Sequence, residues 1–314
     1  MDESLDGDLE FFNLELSLVS IVFSRGVSKP LLVKLLRFLL IIRSFKEIIM
    51  IDYSIYIYAL AAIFAVGFIT WIISLVLEDV SIVDSAWPLM FLFGAVVLAF
   101  AVNDYNFRTQ IILAMVLLWS ARLFLHLTWR NWGEPEDSRY RLIREKFAPN
   151  FALKSLFIIF IFQSFLAWVI LIPLWPAITN NVTFSFWDAL AIALWIVGFF
   201  FESVADWQLS RFKSNPTNQG KVMAQGLWYY TRHPNYFGEC LLWWGFYLFA
   251  VSSDAWWSIP GPLLITWLLL KFSGVVMLEE TIVKRRPAYR EYIANTNAFI
   301  PGRPKHKVRT VETE

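Results

Sequence analysis

The stretch LWYYTRHPNYFGECLLWWG, residues 227–245, places polar groups inside a run that is otherwise apolar. The residue before a proline is disfavoured in helical geometry, and proline itself suits the first helical position, so a helix is predicted to begin at Pro234. A helix N-terminus offers free N–H groups and a positive dipole end, and Arg232 and His233 add positive charge beside it. The pattern therefore predicts a binding site for an anionic group such as a phosphate.

Asn235 and Glu239 are four residues apart and therefore share one face of this helix. A carboxylate at this depth needs a donor, such as a ribose hydroxyl, a backbone N–H or an arginine. The alternative is structural: Arg232 anchors the helix at the membrane interface and Glu239 forms an ion pair.

A second group of polar residues lies on an earlier helix. Arg122, His126 and Arg130 follow one another at intervals of four residues, so they share one helix face. Arg130 can snorkel to the membrane interface, whereas Arg122 lies about two turns deeper. A charged group at that depth is a candidate functional residue, and the three together resemble a groove for an anion.

Two further sets of charges have ordinary alternatives. Asp206, Arg211 and Lys213 follow a long apolar stretch, where basic residues also serve as positive-inside anchors. Asp84, within SIVDSAW, is either a site carboxylate or a cap for the helix that follows.

These groups are positioned by a chain that is typical of a membrane protein. It is 58% hydrophobic and 18% aromatic, well above the usual composition of soluble domains. We expect an all-α, polytopic membrane helix bundle with about seven transmembrane helices, since a helix needs about 20 apolar residues to cross. The candidate spans are roughly 53–77, 87–102, 109–129, 151–175, 186–206, 235–251 and 257–278.

Basic residues concentrate in the loops 130–150 and 207–234 and in the C-terminal tail. With seven spans these segments share one side, which the positive-inside rule makes cytoplasmic. Residues 1–50 are predicted to be an acidic, then amphipathic, extension before a transmembrane domain at 51–302, and 303–314 are predicted to be a flexible tail. The net charge of +1 argues against a nucleic-acid partner, and a single cysteine excludes an internal disulfide and a cysteine-based metal site.

Three motifs carry a resemblance to a known family. GLWYYTRHPNYFGE (226–239) resembles the signature of the steroid 5α-reductase and sterol reductase superfamily, in particular its DUF1295 branch. DWQLSRFKSNP (206–216) resembles the segment before that signature in sterol C14-reductases, and LEETIVKRRPAYREYIANTNAFIP (278–301) resembles the closing motif. The isoprenylcysteine carboxyl methyltransferases share R-H-P-x-Y, but they carry an apolar or aromatic residue where this chain has Glu239.

The resemblance implies an enzyme that holds NADPH between its last helices and the cytoplasmic loops and reduces a C=C bond of a lipid or sterol-like substrate. No Gly-rich Rossmann fingerprint is present, so the dinucleotide would bind by another route. The implied cofactor-binding residues are Arg122, Arg130, Asp206, Arg211, Lys213, Arg232, His233, Asn235, Tyr236, Glu239 and Tyr292.

The chain departs from the steroid reductases at one position. Trp119 occupies the place of a tyrosine that helps to bind the substrate carbonyl, and an indole cannot protonate a substrate. Asp84, His126 and Tyr140 are the alternative catalytic acids. Two other functions remain open: a membrane methyltransferase that uses S-adenosylmethionine, and a non-enzymatic lipid-binding protein. The membrane is either a bacterial inner membrane or the endoplasmic reticulum.

Overall fold

The structure is a computed structural model that describes residues 53–102, 105–272, 279, 282–283 and 286–305. The chain divides into two units, Met1–Asp52 and Tyr53–Glu314. The predicted extension 1–50 lies outside the described residues, as does most of the predicted tail.

The described residues form helices and connecting turns, and no strand occurs among them. The helices are α1 Ser54–Leu77, α2 Ile82–Phe100, α3 Phe107–Asn131, α4 Ser138–Phe147, α5 Phe151–Ile170, α6 Leu174–Thr179, α7 Phe186–Ser214, α8 Leu227–Tyr230, α9 Pro234–Ser252, α10 Pro260–Trp267 and α11 Tyr289–Asn295. Two π-helical segments occur: Leu156–Ile161 lies within α5, and Leu268–Phe272 continues α10.

The helices α1, α2, α3, α5 and α7 are long and apolar enough to cross a membrane. The all-helical fold class is therefore confirmed for the described part of the chain. The other two predicted spans correspond to α9 and to α10 with its π-helical continuation, so seven crossings remain a prediction.

Three predicted boundaries change, one of them at the end of α7, which runs to Ser214 rather than to 206. Helix α2 begins at Ile82 rather than at 87, so Asp84 lies in its first turn and is not the capping residue. The predicted span 151–175 ends at Ile170, and the short helix α6 follows. Pro173 and Pro176 lack the N–H groups that a continuous helix would need there. The predicted helix start at Pro234 is confirmed, with His233 as the residue before it.

An aromatic core joins α2, α3 and α9. The ring of Phe91 lies 4.6 Å from that of Trp243 and 5.6 Å from that of Trp119, measured between centroids. All three side chains are fully buried. Edge-to-face and tilted packing of this kind adds to the stabilisation from burial alone.

Helices α7 and α9 form the most extensive helix pair in the described bundle. They approach closely because Gly198 and Gly238 face one another at the crossing. A Cβ added at Gly238 would lie 2.4 Å from the backbone nitrogen of Glu202 and 2.5 Å from the carbonyl oxygen of Gly198. Small residues allow such contact between helix backbones.

A buried ion pair holds the opposite end of these helices. Arg108, at the start of α3, donates to Asp188 of α7 at 2.8 Å. It also donates to the carbonyl oxygens of Ala177 and Phe249 and to the hydroxyl of Ser253. Four helices are thereby joined at one guanidinium, whose polar atoms are satisfied in the protein interior.

Candidate functional site

A cavity of about 390 Å³ lies among α2, α3, α4, α5, α7, α9 and α10. Its volume falls within the range of small-molecule pockets, about 300–1,000 Å³. The apolar wall includes Trp87, Leu123 and residues of both π-helical segments, which occur often at functional sites. The polar lining residues are Asp84, Arg130, Arg139, Tyr140, Gln163, Glu202, Asp206, Asn235, Tyr236 and Glu239.

One cluster of polar residues in the cavity is centred on Tyr140 of α4. The Tyr140 hydroxyl donates to Asp84 Oδ1 at 2.6 Å, and Gln163 Nε2 donates to the Tyr140 oxygen at 3.1 Å. Arg139 Nη2 donates to Asp84 Oδ2 at 2.8 Å. Asp137 accepts from the backbone N–H of Arg139 and thereby caps α4. The cap fixes the first turn of α4, which places the Tyr140 phenol and the Arg139 guanidinium next to Asp84 of α2.

The Tyr140 phenol remains protonated at neutral pH. Burial raises the pKa of Tyr140 well above its ordinary value, and the adjacent Asp84 carboxylate raises it further. Arg139 and the amide of Gln163 act in the opposite direction, because both favour the phenolate. The hydroxyl is thus a proton-bearing group next to a carboxylate, with two groups at hand to offset negative charge.

A second cluster of polar residues, the acid cluster, consists of Glu202, Asp206 and Glu239. Arg122 Nη2 lies 2.6 Å from Glu202 Oε1, and Arg122 Nη1 donates to Asp206 Oδ2 at 2.7 Å. Trp119 Nε1 donates to Glu202 Oε2 at 3.1 Å. One guanidinium therefore pairs with two of the three carboxylates, so this part of the cavity favours hydrogen-bond donors over anions.

Glu239 differs from the other two acids. Among the residues that the structure describes, its carboxylate has no hydrogen-bond or ion-pair partner, although it lines the cavity. Asn235, one turn earlier on α9, donates instead to Asp206 Oδ1 at 3.1 Å. The structural ion pair considered for Glu239 is thus not found within the described part of the chain. Its acceptor oxygens are available to a ligand.

Arg130 lines the cavity near the end of α3. Its Nε donates to the side chain of Asn131 at 3.1 Å, and no carboxylate pairs with it in the described ranges. His126, one turn earlier, lies behind the acid cluster, with Nε2 3.7 Å from Asp206 Oδ2. The predicted face of α3 therefore meets the site, but Arg122 and His126 contact the protein's own acids.

The charges before α9 form a separate group, the C-terminal clasp, made of Arg232, His233 and Glu279. Arg232 makes two bonds to Glu279, at 2.6 and 3.0 Å, and His233 Nε2 lies 3.0 Å from Glu279 Oε1. Arg232 also donates to the carbonyl oxygens of Ile293 and Thr296. The guanidinium is therefore occupied by the C-terminal segment.

The remaining predicted residues lie outside the cavity lining. Tyr292 of α11 is buried and donates to the carbonyl oxygens of Trp228 and Thr231. Arg211 is exposed and stacks on the Trp207 ring, with its guanidinium carbon 5.5 Å from the ring centroid. Lys213 is also exposed. Of the predicted site residues, the cavity brings together Asp84, Arg130, Tyr140, Asp206, Asn235, Tyr236 and Glu239.

Sequence reasoning missed four residues of these groups, and one of them, Gln163, is a single amide within an apolar run. Glu202 lies in an apolar run, but its spacing of four residues from Asp206 was a usable signal. Arg139 lies in a loop region rich in charge, so nothing in the sequence distinguishes it from its neighbours. Glu279 is one of two adjacent acids in the closing motif, and only the fold reveals that it meets Arg232.

The fold and the cavity define a helical protein whose described residues include five helices long and apolar enough to cross a membrane, and which has a cavity among its helices with both polar and apolar lining residues. The chain belongs to the DUF1295 family, described as a protein of unknown function, which matches residues 70–296. Uncharacterized protein C594.04c of Schizosaccharomyces pombe is 28% identical over 275 residues, which cover 76% of this chain and 77% of that protein. No solved structure matches the chain.

Proposed function

We propose that this chain is an integral membrane oxidoreductase that uses NADPH to reduce a C=C bond of a lipidic or sterol-like substrate. The reaction class comes from the resemblance of residues 226–239 to the reductase signature. One structural observation links this proposal to a site: Glu239 lines the cavity and has no hydrogen-bond or ion-pair partner in the described part of the protein.

The residues present fit a dinucleotide. Carboxylates accept hydrogen bonds from ribose hydroxyls, and Glu239 has acceptor oxygens to spare. Arginines bind phosphates, and Arg130 has no carboxylate partner among the described residues. Asp206, Asn235 and Tyr236 also line the cavity. We assign the sugar and carboxamide groups to the acid cluster and the phosphates to Arg130, with Arg211 and Lys213 as further basic groups on α7.

When bound, NADPH would supply a hydride to one carbon of the double bond. The protein must then deliver a proton to the other carbon, so that the C=C bond becomes CH–CH. We assign this proton to the hydroxyl of Tyr140, which lines the cavity next to the apolar wall. Of the three acids considered, His126 contacts Asp206 and does not line the cavity. Asp84 and Tyr140 both line the cavity and are hydrogen-bonded to each other.

The surroundings of Tyr140 suit this role. Loss of its proton leaves negative charge on the phenol oxygen, which Gln163 Nε2 stabilises as a donor at 3.1 Å. Arg139 balances the nearby Asp84 carboxylate at 2.8 Å. The Asp84 side chain is 24% exposed and lines the same cavity as the phenol.

The proposed topology has seven spans, with α9 and the α10 region as the last two and the C-terminus in the cytoplasm. The basic segments 130–150 and 207–234 support it, since seven spans would put both on the same side of the membrane, as the positive-inside rule expects. The membrane would be a bacterial inner membrane or the endoplasmic reticulum, with a lipidic small molecule as substrate.

The test is ligand binding to detergent-purified protein, followed by thermal shift and by NADPH fluorescence. NADPH should raise the melting temperature, and Glu239→Gln should weaken NADPH affinity about tenfold or more. Loss of a hydrogen bond to a charged group costs about 1.5–3 kcal/mol, which corresponds to that change. Arg130→Gln should weaken affinity in the same direction.

The matched control is Arg141→Gln, because Arg141 is an exposed arginine of α4 outside the cavity lining. The affinity of the Arg141→Gln variant for NADPH should equal that of the wild type. Stabilisation by S-adenosylmethionine alone would contradict the proposed reductase and would indicate a methyltransferase. Stabilisation by neither ligand would favour a non-enzymatic lipid-binding protein.

A further inference from the structure

The C-terminal segment folds back onto the turn that precedes α9. The backbone N–H of Arg232 donates to the carbonyl oxygen of Asn297, and that of Gly302 donates to Tyr230, both at 2.9 Å. The Thr231 hydroxyl donates to the carbonyl oxygen of Phe299 at 2.9 Å. The turn is thus held to the C-terminal segment by hydrogen bonds at Tyr230, Thr231 and Arg232.

Glu279 adds the only carboxylate that meets this turn within the described residues. It accepts two bonds from Arg232 and lies 3.0 Å from His233. The side chains of Arg232 and His233 are only 9% and 5% exposed, and Glu279 is the carboxylate that meets both of them. Removal of one partner of a buried pair leaves the other uncompensated.

His233 connects the clasp to the cavity. Its imidazole is stacked on the ring of Tyr236, with centroids 5.5 Å apart and an angle of 7° between the planes. Tyr236 lines the cavity, and its helix carries Glu239 one turn further on. The orientation of the imidazole, which Glu279 holds through Nε2, therefore limits the positions open to the Tyr236 ring.

We propose that Glu279 is a positioning residue for the cavity: it fixes His233, which in turn holds Tyr236 in the cavity wall and so sets ligand affinity. The proposal deepens the proposed function, and it rests on that function only where NADPH serves as the probe. Glu279 does not line the cavity, so its effect on a ligand must pass through its neighbours.

A ligand-free measurement tests the first step. The protein is labelled with 3-fluorotyrosine, and the resonance of Tyr236, one of eleven tyrosines, is assigned by its loss in Tyr236→Phe. Glu279→Gln should shift or broaden this resonance, and Glu279→Asp, which keeps a carboxylate, should have a smaller effect. An unchanged Tyr236 resonance in Glu279→Gln would overturn the proposal.

A binding measurement tests the second step. Glu279→Gln should weaken NADPH affinity about tenfold, while combination with Tyr236→Leu should cost no more than Tyr236→Leu alone, because both act through one ring. Additive losses would show that Glu279 does not act through Tyr236 and would overturn the proposal.

Asp188→Asn is the matched control, because it breaks another buried arginine–carboxylate pair away from the cavity. It should lower the melting temperature and leave both the Tyr236 resonance and NADPH affinity unchanged. If Asp188→Asn alters them as Glu279→Gln does, the effect is general destabilisation and the positioning role fails. If the wild type binds no NADPH, the proposed function fails, whereas the resonance still decides the role of Glu279.

Discussion

At the scale of single residues, the proton of Tyr140 is subject to opposing influences. Burial and the Asp84 carboxylate retain it, while Gln163 and Arg139 stabilise the phenolate that remains after its release. A donor of this kind releases its proton only when a neighbouring atom becomes strongly basic. Hydride addition to a conjugated double bond creates such an atom, and this links the environment of the phenol to the proposed reaction.

Tyr140→Phe removes this proton and leaves the proposed NADPH contacts in place. We expect NADPH affinity within about twofold of the wild type, and a fall of about 10²–10⁴ in turnover, the usual contribution of a general acid. Turnover is measured as loss of NADPH absorbance with a steroid enone as probe. Tyr58→Phe, at an exposed tyrosine of α1, is the control. Full turnover by Tyr140→Phe would assign the proton to another group.

Several of these residues were predictable one at a time, but their pairings were not. The sequence singles out Asp84 and Tyr140, yet 56 residues separate them and no spacing rule links them. Arg122 and Asp206 are 84 residues apart, so no spacing rule links them either. Buried charge is conspicuous in an apolar run because it is costly, whereas its partner depends on how the helices are arranged.

At the scale of helices, the close contact of α7 and α9 determines how the acid cluster is assembled. Glu202 and Glu239 lie on different helices, each one to four residues from a glycine of the crossing. Apolar length predicted both helices, since hydrophobic periods and lengths are local properties. The crossing itself was not predictable, because a glycine in an apolar run does not indicate which helix it faces.

Gly238→Ala tests the crossing. The new methyl group would lie 2.4 Å from the Glu202 nitrogen, so the helices must separate, at a cost of about 1–3 kcal/mol or more. Gly245→Ala is a graded control on the same helix, because its nearest neighbour would be 2.9 Å away. Thermal unfolding in detergent should show a larger loss of stability for Gly238→Ala. An equal or smaller loss would contradict this packing.

At the scale of the whole molecule, ionic contacts tie distant parts of the chain together. Glu279 meets the turn before α9, and Glu136 accepts two bonds from Arg144 and one from the backbone N–H of Val80. Burial alone would raise the pKa of each acid, but the bonds from arginine, histidine and backbone N–H groups lower both below their ordinary values. Both acids therefore stabilise the fold in their ionised form.

The direction of the pH dependence follows. A carboxylate with a lowered pKa stabilises the protein above the pKa of the unfolded chain, about 4.3 for glutamate, and this stabilisation is lost as the pH falls through the folded value. We expect the stability difference between the wild type and Glu279→Gln to be present at about pH 6 and to shrink below about pH 4. Thermal unfolding across this range provides the measurement. A difference that grows as the pH falls would contradict a lowered pKa for Glu279.

The contact between Gly198 and Gly238 also restricts how this cavity can be redesigned. Larger side chains cannot be accommodated where two backbones already touch, so the wall formed by α7 and α9 is fixed in shape. The two π-helical segments contribute side chains to the lining instead, with Ile158 and Ile159 on one segment and Leu268 on the other. Changes of ligand size, in evolution or by engineering, should therefore be sought among these aliphatic residues.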